Sequence, residues 1–244
     1  MPQILLVSLR SGELAEQIAA AEERDFLQAT RLDPGDLTHV NIGSVTDTAG
    51  DLSAFDGVLV GGCSLNITNE VWDDWQHHVH SELARICDSG LPVFLVCYGT
   101  SWLTHAHGGE IGHSHAETSG ESIVELTPEG LADPVCAGLP ETFTSLTGHT
   151  ENVEKLGDGL TVLATGPTCP VQFVRRGDRV WATQFHADMD AVAMRSRMDF
   201  YYDYGYFSPE DYETILAALP AIDTTWSNKL LENFVDHCKR HDTP

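Results

Sequence analysis

The sequence predicts an α/β protein: an open, mostly parallel sheet flanked by helices, with a C-terminal helical extension. Three observations carry this expectation. Compact apolar runs of strand length recur through the first half of the chain, and segments of helical composition lie between them. One run, "LPVFLV" at 91–96, is apolar almost throughout, the pattern of a strand covered on both faces.

Taken in order, "QILLVSL" (3–9) reads as the first strand and "SGELAEQIAAAEERDF" as the helix after it. "LTHVNI" (37–42) reads as a second strand, and "DGVLVGG" (56–62) as a third that ends in two glycines. In "NEVWDDWQHHVHSELARICDSG" (69–90), Val71, Trp75, Val79, Leu83 and Ile86 recur at helical spacing, and Gly90 is a usual helix terminator. This alternation implies right-handed βαβ units around a parallel sheet. The second half changes character. "ESIVELT", "TFTSLTG", "LTVLAT" and "PVQFVRRGDRVWATQFH" are shorter strands, and "RRGDR" marks a hairpin turn. From about residue 190 the chain turns helical through "AVAMRSRMDFYYDYGYF", "PEDYETILAAL" and "NKLLENFVDHCKRH". A single domain over 1–244 is expected, with its core in 1–190 and the helical extension in 191–244.

Asp and Glu number 37 against 13 Lys and Arg, giving a formal net charge of −24. Such a chain repels phosphate backbones and anionic lipid surfaces, so neither nucleic acid nor membrane is an expected partner. No stretch approaches the ~20 apolar residues of a membrane span. The N-terminal apolar run lacks a basic leader and reads as a strand. The six cysteines form no CxxC pair, and free thiols in a reducing cytoplasm are the expectation.

The chemistry centres on "FLVCYG". An apolar strand ends at Cys97, and Gly99 follows where backbones crowd. A strand–nucleophile–helix turn lifts a side chain out of the sheet and sets helix N–H groups and a positive dipole end beneath it. For a cysteine this favours the thiolate and offers donors to an oxyanion. A buried structural thiol is the competing reading. A base oriented by a third group is also needed. In "ATQFHADMD", His186 and Asp188 stand two apart, so in extended chain the carboxylate can reach the imidazole. Gly61 and Gly62 end another strand where a loop backbone can approach a ligand, and ligands of open α/β sheets collect at the carboxyl ends of strands. The histidine-rich stretches "HHVH" and "HAHGGEIGHSH" raise metal binding. His105 and His107 would face apart on a helix, and no ligand pattern completes a known site, so no metal is expected.

Together, "DGVLVGG", "GLPVFLVCYG…HGGEIG" and "ATQFHAD" resemble the class I glutamine amidotransferase family, in particular stand-alone members similar to the glutaminase domain of GMP synthase. The resemblance covers most of the chain and includes "SLTGHTENVEKL" around His149. It implies a flavodoxin-like core, a Cys97–His186–Asp188 triad, and an oxyanion site made by the N–H groups of Gly62 and Tyr98. It also implies a substrate pocket at Gly61, Ser101, His149 and Thr150, and no cofactor. Glutamine would be hydrolysed through a glutamyl thioester and its ammonia passed to a partner synthase. The sequence departs from the family in three places. Leu95 and Ser101 stand where the family has glycine and glutamine, and Ala187-Asp188 replaces Pro-Glu. Loss of a buried polar partner at Ser101 costs ~1–3 kcal/mol. A γ-glutamyl hydrolase acting on another amide, and a degenerate binding subunit, are the alternatives.

Overall fold

The computed structural model describes residues 1–202 and 205–239. Asp203 and Tyr204 of the aromatic stretch, and the chain from Arg240 onward, lie outside the described residues. The first half runs β1 (Ile4–Ser8), α1 (Ala15–Thr30), β2 (Leu37–Asn41), β3 (Gly57–Val60), α2 (Asp74–Cys87), β4 (Val93–Val96) and α3 (Tyr98–Ala106). It continues with β5 (Glu110–Gly112), β6 (Glu117–Leu126), α4 (Pro128–Leu131), β7 (Thr142–His149), β8 (Asn152–Lys155) and β9 (Leu160–Thr165). The chain then forms β10 (Phe173–Arg176), β11 (Val180–Thr183), α5 (Ala191–Phe200), α6 (Tyr212–Ala218) and α7 (Thr225–Cys238).

Nine strands form one sheet in the order β2-β1-β3-β4-β11-β10-β9-β6-β7, and β5 pairs with β8 in a separate ribbon. The half from β2 to β11 is parallel throughout. The half from β10 to β7 is antiparallel. The order 2-1-3-4 with a fifth parallel strand is that of a doubly wound, flavodoxin-like sheet. The antiparallel half grows from the β10–β11 hairpin at "RRGDR", where Gly177 supplies the positive φ of 59°.

Strand alternation divides the core between two faces. Ile4 and Leu6 of β1 join Phe94, Trp181 and Phe234 on the face covered by α1 and α7. Leu5 and Val7 join Val79, Leu83, Leu95 and Trp102 on the face covered by α2 and α3. A third cluster, separate from both, gathers Leu146, Met189, Met194, Met198 and Phe207 beneath α5 and α6. The helical region after 190 therefore has two parts. α7 lies in the sheet's own core through Leu230, Leu231 and Phe234, whereas α5 and α6 form an insert in front of it. Residue 190 is thus the start of the insert, and the core resumes at α7.

The helix expected over 69–90 begins later, at Asp74. Asp73 caps it, its Oδ1 accepting the Gln76 N–H at 2.7 Å, which stops the helix from extending backward. Val71 therefore does not join the apolar face expected of it and is 82% exposed.

Leu95 is buried in the sheet face below α3. A β-carbon at Gly99 would lie 2.3 Å from Leu95 Cβ, so the strand and the helix that follows it are held apart by a single β-carbon. Close approach at the turn needs a glycine on one side, and Gly99 alone supplies it. Gly99→Ala is expected to destabilise the fold by about 1–3 kcal/mol, the usual range for overpacking. The same substitution in a Leu95→Gly background costs less, measured as a coupling energy in a double-mutant cycle of denaturant unfolding.

Candidate active site

Cys97 follows β4 directly and is the first residue before α3. Its φ of 55° and ψ of −97° lie in a region that non-glycine residues rarely occupy. The turn is held from below: the Cys97 N–H donates to the Thr183 carbonyl of β11 at 2.7 Å, and the Thr100 N–H donates to the Cys97 carbonyl at 2.9 Å. Such strain persists where the surroundings over-determine it, commonly at functional sites.

The register of three adjacent parallel strands brings the other elements to this point. Val60 of β3 pairs with Leu95, and Val96 pairs with Thr183 of β11, so Gly61-Gly62 and the segment leading to His186 leave the sheet on either side of Cys97. A β-carbon on Gly62 would come within 3.1 Å of His186 Cε1 and 3.5 Å of Cys97 Cβ. Gly61 faces the other way. A β-carbon there would strike the Glu22 carboxylate at 2.3 Å, and its N–H donates to the Val7 carbonyl. Among the described residues, the N–H groups of Gly62 and Tyr98 have no hydrogen-bond acceptor. Both are free to receive an oxygen held against Cys97.

His186 Nδ1 lies 3.2 Å from Asp188 Oδ1. The pair sits on a turn fastened from two sides. The His186 N–H donates to the Leu146 carbonyl, and Asn228 of α7 donates to the carbonyls of Ala187 (2.7 Å) and Met189 (3.2 Å). Burial by itself would lower the His186 pKa. The Asp188 charge and hydrogen bond, together with the Cys97 thiol, outweigh it and raise the ring to about 9. The Asp188 carboxyl is held below its ordinary value: burial opposes this, but the imidazolium and, less strongly, Arg197 prevail. Its second oxygen, Oδ2, is buried without a hydrogen-bond partner among the described residues. An aspartate in place of the family's glutamate therefore still reaches the imidazole.

Two chambers meet at Cys97. The smaller is lined by Tyr98, Ser101, His149, Thr150 and Gln184, among others. Ser101 and Thr150 present hydroxyls there. The His149 ring is engaged elsewhere, with Nδ1 on the Glu151 carbonyl and Nε2 on Glu117 Oε2. Gln184 has a buried carboxamide oxygen with no partner among the described residues. It lies within "ATQFHADMD" but is not among the pocket residues expected from the sequence. It stands two before His186, so the alternation that paired His186 with Asp188 also points Gln184 toward the same end of the sheet. The larger chamber is lined by Gly62, Cys97 and His186 on one side and by Met189, Met194, Met198, Tyr206 and Phe207 of the insert on the other.

The histidine-rich stretches are engaged in packing and hydrogen bonds. Trp72 is ringed by His77, His80 and His105 in edge-on contacts. His80 Nε2 lies 2.6 Å from the Tyr98 hydroxyl, and burial with two neighbouring histidines pushes His80 down to about 4. The ligand-type side chains that do converge among the described residues are Glu117, His149 and Cys169. There Glu117 already accepts from Thr168, Gln172 and Ser122 as well as facing His149.

A cysteine on a strained strand-to-helix turn, faced by a histidine–carboxylate pair on a doubly wound sheet, is the arrangement of the nucleophile-elbow class. A sequence model described as "Glutamine amidotransferase class-I" matches residues 39–199. The chain belongs to the class-I glutamine amidotransferase family. It is similar to "GMP synthase [glutamine-hydrolyzing]" of Neisseria meningitidis serogroup C, 30% identical over 105 residues, covering 43% of this chain and 20% of that protein. It also matches the protein of that name from Bacillus mycoides, 24% identical over 185 residues, covering 75% of this chain and 33% of that one. The chain thus spans a third or less of the curated relatives named here. Among solved structures it superposes on a glutamine amidotransferase from Thermotoga maritima with a TM-score of 0.76 at 15% identity, covering 98% of this chain and 99% of that one. One from Methylobacillus flagellatus gives 0.69 at 14% identity, covering 97% and 95%. At these identities the superpositions establish the fold.

His186 holds its proton more tightly in the folded chain than the ordinary imidazole value of 6.5. The stability this contributes is full below 6.5 and lost as pH rises through about 9. An NMR titration of the His186 ring is expected to give a midpoint near 9 in the wild type. Asp188→Asn is expected to move that midpoint downward, because it removes the charge that outweighs burial.

Proposed function

We propose that the chain is a cysteine-dependent amidohydrolase that cleaves the side-chain amide of glutamine through a glutamyl thioester. The observation that carries this reading is the strained Cys97 turn with the His186 ring beside it and Asp188 3.2 Å behind. Cys97 Sγ attacks the amide carbon, its proton having passed to His186. The carbonyl oxygen gains negative charge and is received by the free N–H groups of Gly62 and Tyr98, the latter at the start of a helix whose dipole adds to the field. His186 returns the proton to the departing nitrogen, the C–N bond breaks, and ammonia leaves. Water, deprotonated by His186, then hydrolyses the thioester to glutamate and restores the thiol. Asp188 keeps the imidazole in the orientation both steps need.

The amino-acid end of the substrate lies in the smaller chamber. Ser101 carries a hydroxyl where the family's glutamine has a further methylene and a carboxamide, and the Gln184 oxygen, unpartnered among the described residues, supplies an acceptor for the substrate ammonium in the same chamber. Thr150 adds a hydroxyl. The relatives named above are synthases that hydrolyse glutamine, of which this chain matches a part. By analogy, the ammonia passes to a synthase on a partner chain. A larger amine in place of ammonia is the second reading, favoured by the apolar, methionine-lined wall of the second chamber.

Purified protein is expected to release ammonia from L-glutamine, and Cys97→Ala to reduce the rate by roughly a thousandfold or more. Intact-mass spectrometry of quenched reactions is expected to show one glutamyl adduct on Cys97. Neither release nor adduct, with candidate synthase partners supplied, would establish a binding subunit instead.

A further inference from the structure

Two walls of the smaller chamber come from loops that the strand order keeps apart. One is the segment after β3, residues 63–69, which continues directly from Gly62 and contributes Cys63, Leu65 and Asn66. The other is the turn between β7 and β8, which contributes His149, Thr150 and Glu151. In the sheet, β4, β11, β10, β9 and β6 stand between β3 and β7. No ladder pairs the two strands, so contacts between the loops set the width of the chamber.

One buried side chain makes the central contact. The Glu151 carboxylate receives two successive backbone N–H groups of the first loop, Oε2 accepting from Ile67 at 3.0 Å and Oε1 from Thr68 at 2.7 Å. Oε1 also accepts the Thr68 hydroxyl at 2.6 Å. Successive N–H groups aimed at one anion form a nest, and hydrogen bonds to an ionised acceptor are stronger than neutral ones. The backbone of Glu151 is pinned in turn. Its carbonyl accepts from His149 Nδ1 at 2.7 Å, and the other nitrogen of that ring meets Glu117 of β6 at 2.9 Å. The first loop is fastened again by α2, where Gln76 Nε2 donates to the Asn66 carbonyl at 2.7 Å. Glu151 is 4% exposed and both its carboxylate oxygens are engaged. A carboxylate so occupied acts through the loops it joins, and the substrate's ammonium is left to other acceptors.

We infer that Glu151 is a positioning residue: by tying the segment after Gly62 to the β7–β8 turn, it holds the smaller chamber closed around the amino-acid end of glutamine and sets the affinity for it. The inference rests on the amide hydrolysis at Cys97 proposed above. A chamber formed in advance spares the substrate the cost of ordering two loops. The reacting groups are held by other contacts. Thr183 fixes the Cys97 turn, and Leu146 and Asn228 fix the turn of His186 and Asp188. Loss of Glu151 therefore falls on binding and spares the chemical steps.

The test compares wild type with Glu151→Ala, Glu151→Gln and Thr68→Val. With L-glutamine, Glu151→Ala is expected to raise KM on the order of ten- to a hundredfold and to change kcat by less than about threefold, the pattern of lost uniform binding. Glu151→Gln keeps an oxygen for Thr68 but turns an amide N–H toward that of Ile67, so its KM is expected to fall between the two. Thr68→Val is expected to raise KM in the wild type and to add little beside Glu151→Ala, a non-additivity read from a double-mutant cycle. Alkylation separates the chamber from the thiol. The chloromethyl ketone analogue of L-glutamine is expected to label Cys97 of Glu151→Ala more slowly, by the factor lost in kcat/KM. Iodoacetamide, which needs no chamber, is expected to label it at the wild-type rate. A KM within about twofold of wild type, or a joint fall in kcat and in iodoacetamide labelling, would overturn the inference and leave the glutaminase reading standing. Should Glu151→Ala not fold, Thr68→Val decides, and an unchanged KM there overturns the inference. Wild-type protein that iodoacetamide labels, but that neither hydrolyses glutamine nor reacts with the ketone, would instead remove the amidohydrolase reading on which it rests.

Discussion

The constraint on which the rest of the site depends is the reversal of the backbone at Cys97. A non-glycine residue at φ 55° and ψ −97° is unfavourable by itself, and three features hold it there. The Thr183 carbonyl of β11 captures the Cys97 N–H from one side. The first turn of α3 closes onto the Cys97 carbonyl from the other. Gly99 lets α3 settle against Leu95 with no side chain between them. Because the Thr183 carbonyl belongs to β11, the strand that leads to His186 also fixes the cysteine. Cys97 and His186 are thus positioned by one parallel register, and an error in it would misplace both together.

The fold was largely legible in the sequence because buried parallel strands are apolar on both faces and short enough to be delimited by their ends. The glycine pair after β3 and the run ending at Cys97 could be placed at one end of the sheet from that pattern. The His186–Asp188 pairing was legible for a local reason, since it needs only the alternation of extended chain. Other features were not legible, because they depend on residues distant in sequence. Leu95 reads as an obstacle to the turn until Gly99 is seen to take up the close approach. Gly61 reads as a lining residue of the pocket until Glu22 of α1 is seen to fill the space beside it. Val71 fits a helical repeat, and the cap at Asp73 excludes it from the helix. The His149 ring, near the pocket in sequence logic, is taken by a buried carboxylate contributed from β6.

The histidines illustrate the same limit in reverse. Their density along the chain suggests a common ligand, yet they are distributed over separate tasks. His80 meets the Tyr98 hydroxyl, His113 tethers the Thr150 carbonyl, and His115 tethers that of Thr168. Residue type and clustering in sequence do not fix convergence in space. Convergence follows from strand order, and the strand order here brings glycine, cysteine and histidine segments together and leaves the histidine-rich segments on the flank.

Glu22 has a consequence for how such a protein can change over generations. This one carboxylate, buried on α1, accepts from Ser8 of β1 and from Arg10, lies 3.6 Å from Arg197 of the insert, and fills the space that a side chain at residue 61 would need. The insert over Cys97 is therefore not an independent module. Transplanting α5 and α6 into a relative would carry in an arginine whose counter-charge sits on a different helix, beside a glycine on a third element. Acquiring this roof, or losing it, requires coordinated change at Arg10, Glu22, Gly61 and Arg197, so intermediates along that path are exposed to an unbalanced charge in the interior.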